Sequence, residues 1–424
     1  MSTDAAAGRG REARRAVAAA VVGNVLEWYD FAVYAYLATI IAGEFFPGGE
    51  GLTPLLQVFA AFGLGFVVRP IGGLVIGRMG DVKGRKAALL LTLFLMAVGT
   101  TGIGLIPGAA TIGVWAPVLL VTLRLTQGFS AGGEWAGSTA FIVEWAPEDR
   151  RGFYGSFQQA AVAGGLLLGS GVAALCSTLL TDAQMATWGW RIPFLLGALL
   201  APVGLYIRRH VGETPAFLEA EPVELGADLG RNVRLAGKAF GFTILWTVSY
   251  YMMLTFMPTF TARFAGLSQT QALWSNTIGL VVMVAAVPFL GLLSDRAGRK
   301  PLLLVACGAF VLLPLPLFRI MVGGASFAAV VGIQVAFGLM IALFSGPGPA
   351  AISEIFSTGS RSTWMSAGYT LSVTIFGGFA PYVATQLIST TGSPIAPAYY
   401  LIGAAIVSTV VIASLRETGH EPLK

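Results

Sequence analysis

Residues 77–86 read GRMGDVKGRK, and residues 291–300 read GLLSDRAGRK. Both fit G-x-x-x-D-x-x-G-R-K, and they stand 214 positions apart. A second echo lies nearby: Glu144 and Arg151 recur as Glu354 and Arg361, at an offset of 210. Two echoes at nearly one offset mean that the chain repeats its architecture. In each copy the glycines (Gly77 and Gly84, Gly291 and Gly298) let two helices approach around a tight turn. Asp81 can pair with basic residues or with a neighbouring helix N-terminus, holding one conformation, and Arg85, Asp295 and Arg299 are placed in the same latch. Glu144, Arg151, Glu354 and Arg361 fall in the corresponding later loops and join the same expected latch.

What lies between the motifs is apolar. Of the 424 residues 55% are hydrophobic and 11% charged, and mean hydropathy is +0.76. A soluble domain carries roughly 25% charged residues, so this surface faces lipid. The apolar runs are continuous, as in 193–207 and 402–415, which selects helices over a closed barrel. The expected fold is an all-α polytopic membrane protein with twelve transmembrane helices in two six-helix pseudo-repeats. The expected spans are 16–43, 54–80, 86–107, 113–145, 152–180, 188–209, 235–262, 271–295, 300–320, 326–356, 361–388 and 396–416. The organisation is then a tail (1–15), a first half (16–209), a polar connector (210–234), a second half (235–416) and a second tail (417–424). With both termini cytoplasmic, 21 Lys and Arg residues fall inside and 3 outside, as the positive-inside rule demands. The N-terminal run past Asn24, Glu27 and Asp30 is too long and polar for a cleaved signal.

The net charge of +5 is spread over loops as topology signals, which argues against a nucleic-acid partner. Cys176 and Cys307 lie in apolar runs without ligand spacing, and His210 and His420 fall in polar segments, so neither a disulfide framework nor a metal site is expected. No cofactor motif is present.

The doubled loop resembles the signature of the major facilitator superfamily, over nearly the whole chain. Residues 23–31 (GNVLEWYDF), 69–73 (RPIGG), 124–134 (RLTQGFSAGGE), 188–194 (WGWRIPF) and 213–215 (ETP) resemble its metabolite:proton symporter family. That family includes citrate, 2-oxoglutarate, shikimate and proline/betaine transporters. Residues 375–378 (IFGG) look closest to the citrate and 2-oxoglutarate members. The chain stops soon after Arg416, without the long coiled-coil tail of the osmosensing proline/betaine branch.

Ionisable groups inside spans are costly and are functional suspects. Glu27, Asp30, Arg69, Arg124 and Glu134 all lie in the first half, which points to proton coupling there through Glu27, Asp30, Glu134 and Arg69. By depth, Asp30 can pair with Arg124, and Arg69 with Glu134. Asn24, Glu27, Phe31 and Tyr34 share one helical stripe; Arg124, Gln127, Ala131, Glu134 and Ser138 share another. Arg124 is the expected clamp for a substrate carboxylate, with Asn24, Tyr34, Gln127 and Gln158 beside it and Tyr250, Tyr251 and Tyr369 from the second half. Gly346, Pro347, Gly348 and Pro349 mark an expected bend in span 10.

The expected function is proton-coupled uptake of a small organic anion, a di- or tricarboxylate such as citrate or 2-oxoglutarate. The proton is the coupling ion, the bilayer the surrounding partner, and a monomer in the bacterial inner membrane the working form. The alternative is uptake of a zwitterionic osmolyte (proline or betaine) or of shikimate. Drug efflux, a passive channel and a membrane enzyme fit less well: span 5 lacks a Gly-Pro pair, and the charged stripes lack His and Cys.

Overall fold

The computed structural model describes residues 24–83, 85–132, 134–198, 202, 229–357, 361–419 and 421. The side chains of 77, 78, 80–83, 85–90, 93, 134, 136, 137, 141, 145 and 362 are also outside the description. The expectations for the connector up to 228, His210, His420, Gly77, Gly84 and the side chains of Asp81, Arg85 and Glu134 therefore lie outside the described residues.

The first half contains α1 (Asn24–Tyr36), α2 (Ala38–Phe45), α3 (Thr53–Val67), α4 (Arg69–Lys83), α5 (Arg85–Leu105), α6 (Trp115–Ser130), α7 (Glu134–Trp145), α8 (Arg151–Leu179) and α9 (191–198). The second half contains α10 (Leu229–Tyr251), α11 (Met257–Phe264), α12 (Gln269–Ala297), α13 (Arg299–Leu312), α14 (Pro314–Val322), α15 (Phe327–Ser345), α16 (Gly348–Glu354), α17 (Arg361–Ser372), α18 (Ala380–Thr391) and α19 (Ala396–Ala413). Among the described residues seven helices are long and apolar enough to cross a membrane, or nine with two bent pairs counted as single spans. The other three expected spans coincide with α5, with α6 plus α7, and with α9.

Several boundaries differ from the expected ones. Span 1 bends by 63° between α1 and α2, and span 9 by 44° between α13 and α14, where Pro314 opens the second piece. Span 4 is interrupted after Ser130, so the polar stripe from Arg124 does not run on as one regular helix. Span 7 begins at Leu229, inside the expected connector. Span 10 crosses as Phe327–Glu354, with the Gly-Pro run making a turn between α15 and α16.

Burial separates central from peripheral helices. In Leu229–Phe264 the most apolar window is 94% buried, against 39–50% in the other long spans. The outward faces carry Leu74, Phe289 and Val410, all highly exposed, an apolar surface suited to lipid.

Glycines set how closely α6 approaches α3 and α4. A Cβ at Gly128 would stand 1.7 Å from the Gly65 carbonyl oxygen, and one at Gly72 would stand 1.8 Å from that of Phe129. No side chain fits there, so the RPIGG and RLTQGFSAGGE segments are packing surfaces that set Arg69 and Arg124 side by side. Gly128→Ala is expected to force α3 and α6 apart and to cost roughly 1–3 kcal/mol or more. Thermal unfolding in detergent checks this against Gly171→Ala, whose Cβ would meet nothing within 4 Å.

The WGWRIPF segment holds the end of α5. Arg191 Nη1 donates to the carbonyls of Gly104 (3.0 Å) and Ile106 (2.6 Å), while its guanidinium stacks 4.3 Å from the Trp190 ring. These bonds satisfy helix-end carbonyls that would otherwise lack partners.

Candidate functional site

Both ends of the interface between the halves are bridged. At the end carrying the loop motif, Asp295 on α12 accepts the backbone N–H of Gly152 (2.7 Å) and of Phe153 (2.8 Å) at the start of α8. Arg299 donates to Asp295 (2.7 Å) and Glu354 (3.3 Å), and Arg361 donates to Glu144 across the halves at 2.6 Å. Arg151 Nη1 donates to the Glu421 carbonyl at 2.9 Å. Gly291 and Gly152 face each other there, a Cβ on Gly291 standing 2.6 Å from the Gly152 oxygen. Gly298 adopts φ +89°, a region that favours glycine. Just beyond, Glu417 accepts the backbone N–H groups of Arg299 and Lys300 at 2.8 Å each. Burial works to raise the Glu417 pKa, but four backbone N–H donors outweigh it and hold the group below the usual glutamate range.

At the opposite end Tyr36 Oη donates to the Leu254 carbonyl (2.8 Å), Arg263 to that of Gly51 (3.0 Å) and Trp274 to Thr178 (3.0 Å). Phe59 packs on Phe256.

Between the two ends lies a small cavity lined by Trp28, Gln159, Val162, Thr243, Trp246, Thr247, Tyr250, Tyr251 and Tyr369. The lining is largely aromatic. Trp28 stands 6.1 Å from Tyr250 and 5.8 Å from Tyr251; Trp246 stands 6.4 Å from Tyr369, which stacks at 3.6 Å on Trp135. The Tyr250 hydroxyl and Thr247 Oγ1 are buried without a hydrogen-bond partner, which makes them available to a ligand, and Tyr251 interacts with the Arg69 guanidinium.

α10 supplies five of these residues because Thr243, Trp246, Thr247, Tyr250 and Tyr251 follow helical i, i+3, i+4, i+7, i+8 spacing. Beyond them a wider π-type turn (Met252–Phe256) leads into α11, with Thr255 bonded back to the Tyr251 carbonyl. Such turns recur at functional sites. A second one, Val373–Gly377, presents Gly377 to Thr247 and Tyr251.

Of the residues expected to bind substrate, Tyr250, Tyr251 and Tyr369 line this cavity. Asn24 and Gln158 are buried outside the lining, and Tyr34 donates to the Val58 carbonyl at 3.0 Å. Arg124 is 0% exposed, its guanidinium carbon 4.9, 4.4 and 5.0 Å from the ring centres of Phe31, Tyr34 and Phe62. Its Nη1 donates to Gln127 Oε1 (2.8 Å), and Gln127 Nε2 donates to Thr100 Oγ1 (2.8 Å).

Asp30, 7% exposed, lies against Thr100 and Gly197. Asp30 and Arg124 thus make no direct ion pair; Gln127 and Thr100 stand between them. The expected Arg69–Glu134 pair involves a side chain outside the described residues. Arg69 lies 4.7 Å from the Phe31 ring and 4.1 Å from Phe66, so Phe31 is flanked by both guanidiniums.

Trp28, Trp246, Thr247 and Gln159 were not among the expected site residues. The helical stripe on α10 is the signal that could have found two of them.

The Major Facilitator Superfamily profile matches residues 20–326, and the Sugar (and other) transporter profile matches 238–424. The proline/betaine transporters of Salmonella typhimurium and Escherichia coli K12 are each 35% identical over 97% of this chain and 85% of theirs. The glycine betaine/proline/ectoine/pipecolic acid transporter of Dickeya dadantii is 34% identical over the same shares. Among solved structures, the xylose transporter of E. coli in a partially occluded inward-open conformation superposes with a TM-score of 0.77. It is 18% identical over 96% of this chain and 98% of that one. The chain belongs to the major facilitator superfamily.

Proposed function

We propose that this protein takes up a small zwitterion of the proline or betaine type, together with protons, across a bacterial inner membrane with both of its termini in the cytoplasm. The observation that carries the substrate is the aromatic box of Trp28, Trp246, Tyr250, Tyr251 and Tyr369. Ring faces attract a desolvated ammonium, and quaternary ammonium compounds are commonly held in this way. The names of the proline/betaine relatives point the same way. The di- or tricarboxylate expected from the sequence is not the better reading. The described lining itself contains no Lys or Arg to balance a second or third carboxylate, and Arg124 is enclosed by three rings. Bridges at both ends of a central cavity suit alternating access, in which one set opens at a time.

Calorimetric titration of the purified protein tests this reading. Glycine betaine and proline are expected to bind, and citrate and 2-oxoglutarate are not. Trp246→Leu is expected to weaken glycine betaine by roughly 2- to 30-fold, the worth of one cation–π contact. Trp246→Phe, which keeps a ring, should retain most of the affinity. Citrate binding without betaine binding would reinstate the organic anion.

A further inference from the structure

We infer that Arg69 receives the substrate carboxylate at the edge of the aromatic cavity. This rests on the zwitterion reading and adds the charged half of the site. Arg69 opens α4 and is 8% exposed. Its Nε and Nη2 are buried and have no hydrogen-bond partner. An unsatisfied buried donor on a charged group is expensive, and a planar guanidinium is shaped to give two parallel bonds to a carboxylate.

Position selects Arg69 over Arg124. The Arg69 guanidinium lies 6.0 Å from the Trp28 ring centre and interacts with Tyr251, and both residues line the cavity. Arg124 also has a buried Nε and Nη2 without a partner, but it is enclosed by Phe31, Tyr34 and Phe62, and its Nη1 donates to Gln127. In glycine betaine and proline one carbon separates the ammonium nitrogen from the carboxylate. With the ammonium in the box, the carboxylate must therefore lie at the box's border, which is where Arg69 sits.

Two cations flanking one ring also repel each other, and an anion on Arg69 offsets that repulsion. Glu27 is within electrostatic reach of Tyr251 and Tyr369. Its negative charge favours the ammonium at the box and competes for Arg69, so a bound carboxylate has to outdo it by the bidentate fork. The sequence suggests the opposite division of labour, with Arg124 as clamp and Arg69 in proton coupling.

Choline carries the same trimethylammonium as glycine betaine and lacks the carboxylate, so the pair isolates the Arg69 contribution. In calorimetric titrations wild-type protein is expected to bind glycine betaine roughly 10- to 100-fold more tightly than choline, the worth of one charge-assisted contact. Arg69→Gln should lose that preference, with glycine betaine weakened and choline unchanged or tightened, because a nearby cation has gone. Retained choline binding also reports that the variant is folded.

If Arg69→Gln does not fold, Arg69→Lys carries the test. It keeps the charge but loses the fork, and glycine betaine affinity should fall by about tenfold with choline unchanged. A wild-type ratio of betaine to choline affinity in Arg69→Gln, or wild-type betaine affinity in Arg69→Lys, overturns the assignment and leaves the zwitterion reading intact. Wild-type protein that binds neither ligand overturns the zwitterion reading itself, and Arg69's role with it.

Discussion

Asp30→Asn is expected to abolish uptake driven by an imposed pH gradient while leaving counterflow exchange of substrate. Asp30 is nearly inaccessible, and a charged carboxylate at membrane depth costs several kcal/mol unless it is directly paired. Among the described residues no guanidinium is in contact with it; Arg124 reaches toward it through Gln127 and Thr100. Protonated and ionised forms therefore compete, which is what a proton carrier requires. Asparagine imitates the protonated form in shape and charge, so the variant should still bind and exchange substrate. What it cannot do is release a proton.

The bridge makes this prediction sharper. Thr100 Oγ1 accepts from Gln127, which leaves its own hydrogen for Asp30. Thr100→Val keeps the shape and removes both bonds, and should shift the pH profile of uptake while preserving substrate binding. Proteoliposome uptake under a pH gradient, measured beside counterflow with no gradient, separates these outcomes. Gradient-driven accumulation by Asp30→Asn at the wild-type rate would remove Asp30 from the coupling mechanism.

Legibility in the sequence followed rarity. Charges are scarce in membrane helices, so Asp30, Arg69 and Arg124 stood out one by one, and the doubled loop stood out because it occurs twice. The motif suggested an acid at a helix N-terminus for Asp81, whose side chain lies outside the described residues; Asp295 of the second copy accepts the N–H groups of Gly152 and Phe153.

The aromatic box was not legible. Trp28 lay in plain view in the GNVLEWYDF segment, but a tryptophan on an apolar helix reads equally as packing. It becomes a binding wall only because α1, α8, α10 and α17 meet there. The same blindness lies behind the expected organic anion. A buried arginine near mid-membrane reads as an anion clamp until Phe31, Tyr34 and Phe62, from two other helices, are seen to enclose it. The break at Leu37 was also hidden, since the apolar run continues through it, whereas the break after Ser130 falls at the Ala-Gly-Gly-Glu stretch 131–134.

Asp295→Asn is expected to shift the protein toward the state open at the loop-motif end. Both carboxylate oxygens of Asp295 are committed, Oδ1 to the Gly152 N–H and to Arg299, and Oδ2 to the Phe153 N–H. A negative charge at the N-terminus of α8 is stabilised by the helix dipole as well. Asparagine keeps one acceptor and turns the other into a donor, which would face either a backbone N–H or a guanidinium. At least one charge-assisted bond is lost, worth roughly 1.5–3 kcal/mol, and an equilibrium between closed and open states should move by about one to two decades.

A second bridge at this end, Arg361 to Glu144, is itself an ion pair at 2.6 Å, so Asp295→Asn combined with Glu144→Gln should open this end further than either change alone. Spin labels at Tyr154 and Arg296, both exposed and on opposite halves, report the opening as a longer distance in a Cys176→Ser, Cys307→Ala background. Wild-type distance distributions in the double variant would show that this end is held by packing around Gly152 and Gly291, with the charges adding nothing to the latch.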